Sequence, residues 1–392
     1  MPIVEVKSVT DNELVLQVTG RIDSSNADAF DADLTNAMEG HDGLNVVIDA
    51  GGIEYISSAG LRVLLKIIRN TSLKIVEVSP DVYDILDMTG FVELMDVQKA
   101  YRVISVDGCE VIGQGANGKV YRIDDETIVK VYKNPDALPE IQRERELART
   151  AFVLGIPTAI PYDVVRVGEG YGSVFELLNA KSFAKLLNDG VKTVDEIAEL
   201  SVNLLKLIHG TEVKEGTLPE MKDQIMKWVT FLDGHLPAEQ YDKLYSLVDA
   251  VPVSNMMMHG DCHIKNIMLM NGETLLIDMD TICTGNPIFE LAQLHNAYVG
   301  FSEIDNEHIK SFLGIDYVTS NKLWHKILSL YLETEDEERI QEVNSKAMLI
   351  GTARIMRRAI RRLGEEELAA KQIEVSRKHI EELLPKIDTL LI

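Results

Sequence analysis

The sequence is poor in cysteine, in basic residues relative to acidic ones, and in long apolar runs. Its three cysteines, Cys109, Cys262 and Cys283, are too few and too scattered for a disulfide framework or a zinc site. Lys and Arg number 39 against 63 Asp and Glu, and the net charge of -24 disfavours nucleic acid and anionic membrane as partners. No apolar stretch approaches the ~18 residues of a membrane span. The N-terminal segment lacks the pattern of a signal peptide, so the sequence predicts a cytoplasmic protein.

The composition is that of an ordinary soluble globular protein. Of the 392 residues, 46% are hydrophobic and 26% are charged. This length allows two or three domains. Changes in pattern along the chain predict three parts, residues 1–106, 107–180 and 181–392. The acidic balance is compatible with a cationic or neutral substrate, although acidity also serves solubility alone.

The first part alternates apolar runs of strand length with segments of helical spacing. The runs are residues 14–18, 44–49 and 73–78, and the helical segments are residues 27–37 and 61–68. Such alternation predicts a small α/β domain in which helices pack on a sheet. The run at 44–49 is expected to end before the glycine pair Gly51-Gly52.

The same part contains three short motifs: GRID at 20–23, VID at 47–49 and YISSAGLRVLL at 55–65. Together they resemble the STAS domain of anti-sigma-factor antagonists. In that family a serine at a helix N-terminus is phosphorylated by a partner kinase, and the resemblance places this serine at Ser58 and implies a protein partner. Free N–H groups and the helix dipole suit a phosphate dianion there. The alternative is that Ser57 or Ser58 is only an N-cap.

A glycine-rich loop opens the second part, with the sequence GQGANG at 113–118 and its glycines at Gly113, Gly115 and Gly118. This motif also occurs in dinucleotide-binding sites, where a helix follows the third glycine at once. Here β-forming residues continue over 120–123 and 127–133, so the loop lies within a hairpin. A glycine loop in a hairpin, with Lys130 on the next strand, is typical of the phosphate-binding loop and lysine of kinases.

A lysine beside phosphates needs an acidic partner to hold its side chain, and the next predicted helix offers three acids. Glu144 lies three residues before Leu147 and therefore shares its apolar face. Glu140 and Glu146 are expected on the solvated face. The sequence thus predicts that Glu144 is the partner of the lysine.

The strand predicted at 171–178 leads toward a hinge between two lobes. In kinase-like folds, backbone groups at this hinge hold the adenine of ATP. Glu176 and Leu178 are therefore the predicted contacts with the nucleotide base.

The densest cluster of polar groups is HGDCHIKN at 259–266, which is followed by LLID at 275–278. An Asn-Gly pair between two apolar runs predicts a hairpin turn at residues 271–272. This hairpin brings Asn266 and Asp278 together at its open end. A phosphoryl-transfer site needs a carboxylate near the accepting hydroxyl, and an Asn and an Asp to hold magnesium.

These motifs, with the loop and lysine upstream, resemble the aminoglycoside phosphotransferase and choline kinase family over about residues 108–300. The resemblance implies an α+β bilobal protein-kinase-like domain behind the α/β STAS-like domain. It implies the following roles: Asp261 as catalytic base, His263 as a brace of the catalytic loop, Asn266 and Asp278 as Mg²⁺ ligands, and Lys130 as a contact of the nucleotide phosphates. Asp280 is expected to be a supporting or surface acid. Glu290 stands where the family usually has an aspartate.

The connection after Asp278 is short, because Pro287 and Glu290 follow within a few residues. A protein kinase needs a long activation segment at this place, ending in an Ala-Pro-Glu-like anchor. The short connection favours a small hydroxylated acceptor, cationic or neutral, over a peptide. The one basic patch, ARIMRRAIRR at 353–362, has two interpretations: it pairs with acids of the helical lobe, or it receives an anionic substrate or partner.

Three functional hypotheses follow. The first is an ATP-dependent phosphotransferase that acts on a small molecule and is regulated by the STAS-like domain. The second is a protein kinase that acts on Ser58 or on another STAS protein. The third is a signalling scaffold without catalytic activity.

Overall fold

The structure, a computed structural model, describes residues 3–115, 118–365 and 367–392. These residues form two compact units. The first unit ends at Ser105 and also includes Val164–Glu169, and the second comprises Val106–Asp163 and Gly170–Ile392. Each unit has a hydrophobic core of its own. The predicted division between two lobes at residue 180 stays a prediction.

The first unit is an α/β sheet with helices, as the alternating pattern predicts. Its strands lie in the order β1-β2-β3-β4-β5. The pair β1–β2 is antiparallel and the other pairs are parallel, so helices connect the parallel strands. The elements are β1 Ile3–Val9, β2 Glu13–Ile22, α1 Ala27–Met38, β3 Asn45–Ile56, α2 Ser58–Ile68, β4 Leu73–Val78, α3 Pro80–Met88, β5 Asp96–Lys99 and β6 Arg102–Val103.

Strand β3 is longer than the sequence predicts, because it continues through the glycine pair to Ile56. The prediction that it ends near Asp49 is wrong for a steric reason. A Cβ on Gly52 would lie 2.4 Å from Cγ2 of Thr19 and 3.2 Å from its Cα on β2. The register between β2 and β3 also shifts at this point. Glycine here permits a close approach of two strands and does not end one of them.

We expect Gly52→Ala to destabilise the first unit by about 1–3 kcal/mol, because the added methyl group overlaps the side chain of Thr19 on β2. Gly51→Ala is the matched control, since its Cβ would meet a side-chain oxygen of Asp49 at 3.2 Å. Calorimetric unfolding of the full chain measures both losses. Equal losses would contradict this account of the glycine pair.

The second unit begins with an antiparallel sheet in the order β11-β9-β8-β7. Lys130 lies in the middle of β9, where it pairs with Val120 and Ser173. The elements of this part are β7 Glu110–Gln114, β8 Gly118–Arg122, β9 Thr127–Tyr132, α4 Leu138–Val153 and β11 Gly170–Glu176. Strand β10, Asp163–Val167, precedes β11 in the chain and belongs to the first unit from Val164 onward. Within the first unit, Val165 and Arg166 of β10 pair in parallel with β6.

The rest of the second unit is mainly helical. Helix α6 begins with a capping box, in which Thr193 and Glu196 satisfy each other's backbone N–H groups. The elements are β12 Lys181–Ser182, α5 Phe183–Asn188, α6 Val194–His209, α7 Met221–Thr230, α8 Ala238–Asp249, β13 Met257–Met258, β14 Ile267–Met270, β15 Glu273–Leu276, β16 Cys283–Thr284, α9 Pro287–Tyr298, α10 Glu307–Leu313, α11 Tyr317–Leu332, α12 Glu337–Arg361 and α13 Ala369–Leu383. In the described part of the chain, no helix combines the length and apolarity needed to cross a bilayer.

Candidate active site

The glycine-rich loop connects β7 to β8, as predicted. The N–H of Gly115 donates to the carbonyl of Gly118 at 3.0 Å and closes the described part of the turn. The third glycine is required sterically, because a Cβ on Gly118 would lie 2.2 Å from the carbonyl oxygen of Val131. Gly113 has more room, with its nearest neighbour at 3.5 Å. Ala116 and Asn117, within the predicted loop, lie outside the described residues.

Lys130 is held by two carboxylates. Its Nζ lies 2.9 Å from Oε1 of Glu144 and 2.8 Å from Oδ1 of Asp278. Burial alone would lower the pKa of Lys130, but these two acids outweigh it and raise the pKa above its usual value. The lysine therefore presents a fixed positive charge between the sheet, α4 and the hairpin that ends at Asp278.

Helix α4 points one of its three acids at the lysine, and it is the predicted one. Glu144 is 5% exposed and also accepts a hydrogen bond from Oη of Tyr132. Glu140 and Glu146 are exposed. Glu144 therefore lies on the buried, apolar face of α4, whereas the other two acids lie on its solvated face.

The predicted hinge contacts follow β11. The N–H of Leu177 already donates to the carbonyl of Glu126 at 2.7 Å. This N–H is therefore not free to bind a nucleotide base, and the predicted contacts are its neighbours Glu176 and Leu178. Their role stays a prediction.

Asp261 and Asn266 lie together in the loop before β14. Nδ2 of Asn266 donates to the backbone carbonyl of Asp261 at 3.0 Å. Nε2 of His263 lies 3.4 Å from Oδ2 of Asp261, whose side chain is 38% exposed. Burial would raise the pKa of Asp261, but the hydrogen bond with His263 and nearby basic groups outweigh it and lower the pKa. The side chain is therefore an ionised acceptor at neutral pH.

The β14–β15 hairpin brings Asp278 to this loop. Its turn has Asn271 and Gly272 at positive φ, as the predicted turn requires. At the open end, the N–H of Ile277 donates to the carbonyl of Asn266 at 3.0 Å. Asp278 follows in the left-handed region with φ 64°, and its side chain is 44% exposed. The hairpin therefore places Asn266 and Asp278 at the same end, and Lys130 contacts one of them.

A fully buried carboxylate anchors the loop, and its contacts were not foreseen. Glu290 on α9 is 0% exposed. It accepts hydrogen bonds from the N–H of Gly260 at 2.9 Å and of Cys262 at 3.3 Å. Glu290 therefore fixes the backbone on both sides of Asp261. The sequence indicated a role for Glu290 only because the phosphotransferase family usually has an aspartate at this position.

His209 supports this anchor and is more than a helix-terminal residue. Its Nδ1 is 2.8 Å from Oη of Tyr331, and its Nε2 is 3.9 Å from Oε2 of Glu290. Burial would raise the pKa of Glu290, but His209 outweighs it and keeps the pKa below its usual value.

In the first unit, the two serines at the start of α2 differ. Oγ of Ser57 accepts a hydrogen bond from the N–H of Ala59 at 3.2 Å, so Ser57 is the N-cap. Ser58 is the first helical residue and is exposed. Capping therefore falls to Ser57, and phosphorylation of Ser58 stays a prediction.

The phosphotransferase enzyme family has a sequence model that matches residues 108–316, more than half of the chain. The chain belongs to this family. The match confirms the resemblance seen in the glycine loop, the HGDCHIKN motif and the LLID motif. Phosphoryl transfer is the chemistry of the family, and the carboxylates, amide and lysine described above lie within the matched residues.

The STAS resemblance is also confirmed. The STAS domain model matches residues 4–104. BtrV of Bordetella bronchiseptica, a proposed anti-sigma factor antagonist, is 32% identical over 92 residues, which are 22% of this chain and 78% of the relative. This phosphotransferase therefore carries an N-terminal STAS domain.

Several solved phosphotransferase structures are similar at low identity. ADP-bound aminoglycoside phosphotransferase APH(2'')-Ib is 17% identical, with 72% of this chain and 94% of that chain covered and a TM-score of 0.46. The gentamicin complex of APH(2")-IIa is 15% identical, with coverage of 70% and 91% and a TM-score of 0.46. A choline/ethanolamine kinase family protein of Mesorhizobium loti is 13% identical, with coverage of 70% and 87% and a TM-score of 0.45.

We expect Glu144→Gln to lower the stability of the second unit by about 1–3 kcal/mol, because it weakens a hydrogen-bonded ion pair in a buried setting. It is also expected to weaken nucleotide binding, since Lys130 loses one of the groups that position it. Glu146→Gln on the solvated face of the same helix is the control. Thermal unfolding and titration with nucleotide measure both effects. Equal behaviour of the two variants would contradict the assignment.

Proposed function

We propose that the chain transfers the γ-phosphoryl group of ATP, with Mg²⁺, to a hydroxyl group of a small molecule, and that its STAS domain regulates this activity. The observation that carries the proposal is the convergence of Lys130, Asp261, Asn266 and Asp278 from separate segments. Positioning and charge stabilisation supply most of the catalysis in phosphoryl transfer, so these groups in one place suit that reaction.

We assign each residue of the site the following role. Asp261, held on both sides by Glu290, accepts the proton of the acceptor hydroxyl and orients its oxygen. Lys130, kept charged by Glu144, contacts the phosphates of the nucleotide. The glycine loop covers those phosphates with backbone N–H groups, and Glu176 and Leu178 hold the base. His263 positions Asp261 through the contact at 3.4 Å.

The donor set fits Mg²⁺. Asn266 turns its Nδ2 to the carbonyl of Asp261, which leaves its amide oxygen as the ligand atom, and Asp278 supplies carboxylate oxygen. Burial and the nearby charge of Asp278 raise the pKa of Asp280 to about 7. Among the described residues there is no group of three or more His, Cys, Asp or Glu arranged for a metal. Mg²⁺ is commonly held by one or two protein ligands together with phosphates, whose charge it neutralises.

A second candidate is phosphorylation of a STAS serine, in this chain or in a partner. The observation that favours it is the exposure of Ser58 beside a cap that Ser57 already provides. The short connection after Asp278 argues against a peptide acceptor.

Incubation with labelled ATP, alone and with a panel of small alcohols, separates the candidates. Label on a panel compound supports the first proposal, and label on Ser58 without added compound supports the second. Absence of both nucleotide binding and turnover under all conditions would contradict both.

We expect Asp261→Asn to lower kcat by about 10²- to 10⁴-fold, because the amide cannot accept the hydroxyl proton. Nucleotide affinity is expected to persist, since Asp261 does not hold the phosphates. Asp242→Asn on the exposed face of α8 is the control. Initial rates and nucleotide titration measure the two quantities. Unchanged kcat would show that the base is another group.

A further inference from the structure

Three arginines lie on one face of α12, at the spacing i, i+3 and i+4. They are Arg354, Arg357 and Arg358. The sequence left open whether this basic patch pairs with acids or receives an anion. Nη1 of Arg354 donates to Oε1 of Gln293, which is a neutral acceptor. Across residues 3–115, 118–365 and 367–392, neither Arg354 nor Arg357 forms an ion pair with an acid.

Aromatic rings from two other segments line this face. The guanidinium carbon of Arg354 lies 5.4 Å from the ring centre of Trp228 and 5.6 Å from that of Phe301. That of Arg357 lies 5.4 Å from the ring centre of Phe231. Such contacts orient guanidinium groups and remove water from around them, but they satisfy no N–H donor in the plane of the group.

Two buried donors of this cluster find no acceptor among the residues that the structure describes. Gln293 is 2% exposed, and its Nε2 has no hydrogen-bond partner among the described residues. Nε of Arg357 is likewise buried without a partner in that part of the chain. Unsatisfied buried donors are rare in folded proteins, and a bound water, ion or ligand commonly supplies the missing acceptor.

The cluster adjoins the proposed base. Gln293 follows Glu290 by three residues on α9, and Glu290 holds the backbone on both sides of Asp261. Burial lowers the pKa of Arg354, and the charge of nearby Asp261 opposes this. Arg354 contacts Gln293, which shares a face of α9 with Glu290, so the arginine lies on the side of α9 that faces the loop of Asp261.

The energetics favour an anion at this place. A guanidinium stays protonated at all ordinary pH values, and a buried charge without a counter-ion costs free energy. Neighbouring arginines on one helix face also repel each other. Two oxygens of a phosphate or carboxylate match the planar fork of an arginine and offset both costs.

We propose that Arg354, Arg357 and Gln293 bind an anionic group, a phosphate or a carboxylate, carried by the alcohol that receives the phosphoryl group. This inference rests on the proposed phosphotransferase function. It replaces the cationic or neutral acceptor with which the acidic composition is compatible, because Arg354 and Arg357 place positive charge on this face of α12 although the chain as a whole is acidic.

The test compares acceptors that differ in charge. Turnover of Mg·ATP is measured for the full chain with glucose 6-phosphate, glucose and glucosamine, and with glycerol 3-phosphate, glycerate and glycerol. We expect higher kcat/KM for glucose 6-phosphate in the first set, and for glycerol 3-phosphate and glycerate in the second. The phosphate and carboxylate members show which anionic group the site prefers. Preference for the neutral or cationic members would overturn the inference while leaving the phosphotransferase function intact.

The variants Arg354→Gln and Arg354→Lys test the residue. We expect Arg354→Gln to lower the ratio of kcat/KM between glycerol 3-phosphate and glycerol by about 10- to 100-fold, mainly through KM, since a charge-assisted hydrogen bond is lost. Arg354→Lys keeps part of the ratio. Arg361→Gln, exposed on the same helix, is the control. An equal loss for both acceptors in Arg354→Gln would indicate a structural role and would overturn the inference.

Binding gives a readout that does not depend on turnover. Titration calorimetry measures the affinity of glycerol 3-phosphate and glycerate for the protein saturated with Mg·ADP. Binding that Arg354→Gln weakens and Arg361→Gln leaves unchanged supports the inference. Absence of binding to the wild-type chain overturns it. Failure of the wild-type chain to bind Mg·ATP overturns the proposed function itself, and this is seen before any arginine variant is compared.

Discussion

The ion pairs of Lys130 hold the site of the second unit together. One ammonium group joins a strand of the sheet, helix α4 through Glu144, and the end of the β14–β15 hairpin through Asp278. A partly buried lysine is stable as a cation only with such partners. The same charge that fastens these three elements is the charge that nucleotide phosphates require. The side chain of Lys130 therefore has both a structural and a functional role, and its ion pair helps to position Asp278.

The catalytic loop depends on a second buried charge. Glu290 satisfies the N–H groups on both sides of Asp261 and is itself supported by His209. This arrangement leaves the carboxylate of Asp261 partly exposed while its backbone is fixed. A rigid backbone under an accessible side chain is what positioning of a hydroxyl group requires, because small displacements of reacting groups are costly in rate.

Local patterns predicted those parts of the site that depend on neighbours in sequence. Turn chemistry predicted the hairpin around Asn271. Periodicity predicted the strand with Lys130 and the buried face of α4 with Glu144. Contacts between segments that are far apart in the sequence have no such local pattern. Glu290 accepts a hydrogen bond from Gly260, 30 residues before it in the sequence, and Arg354 donates one to Gln293, 61 residues before it. The continuation of β3 through Gly52 likewise depends on its neighbour Thr19, which sequence periodicity does not show.

A crystal structure of the full chain with Mg²⁺ and a non-hydrolysable ATP analogue tests the central claim most directly. The account predicts that Lys130 keeps its contact with Glu144 and turns its remaining donors to the phosphates. It also predicts that Asp278 exchanges the lysine for the metal, with the amide oxygen of Asn266 as a second protein ligand. An analogue bound away from the glycine loop, or a metal that contacts neither Asn266 nor Asp278, would contradict the account.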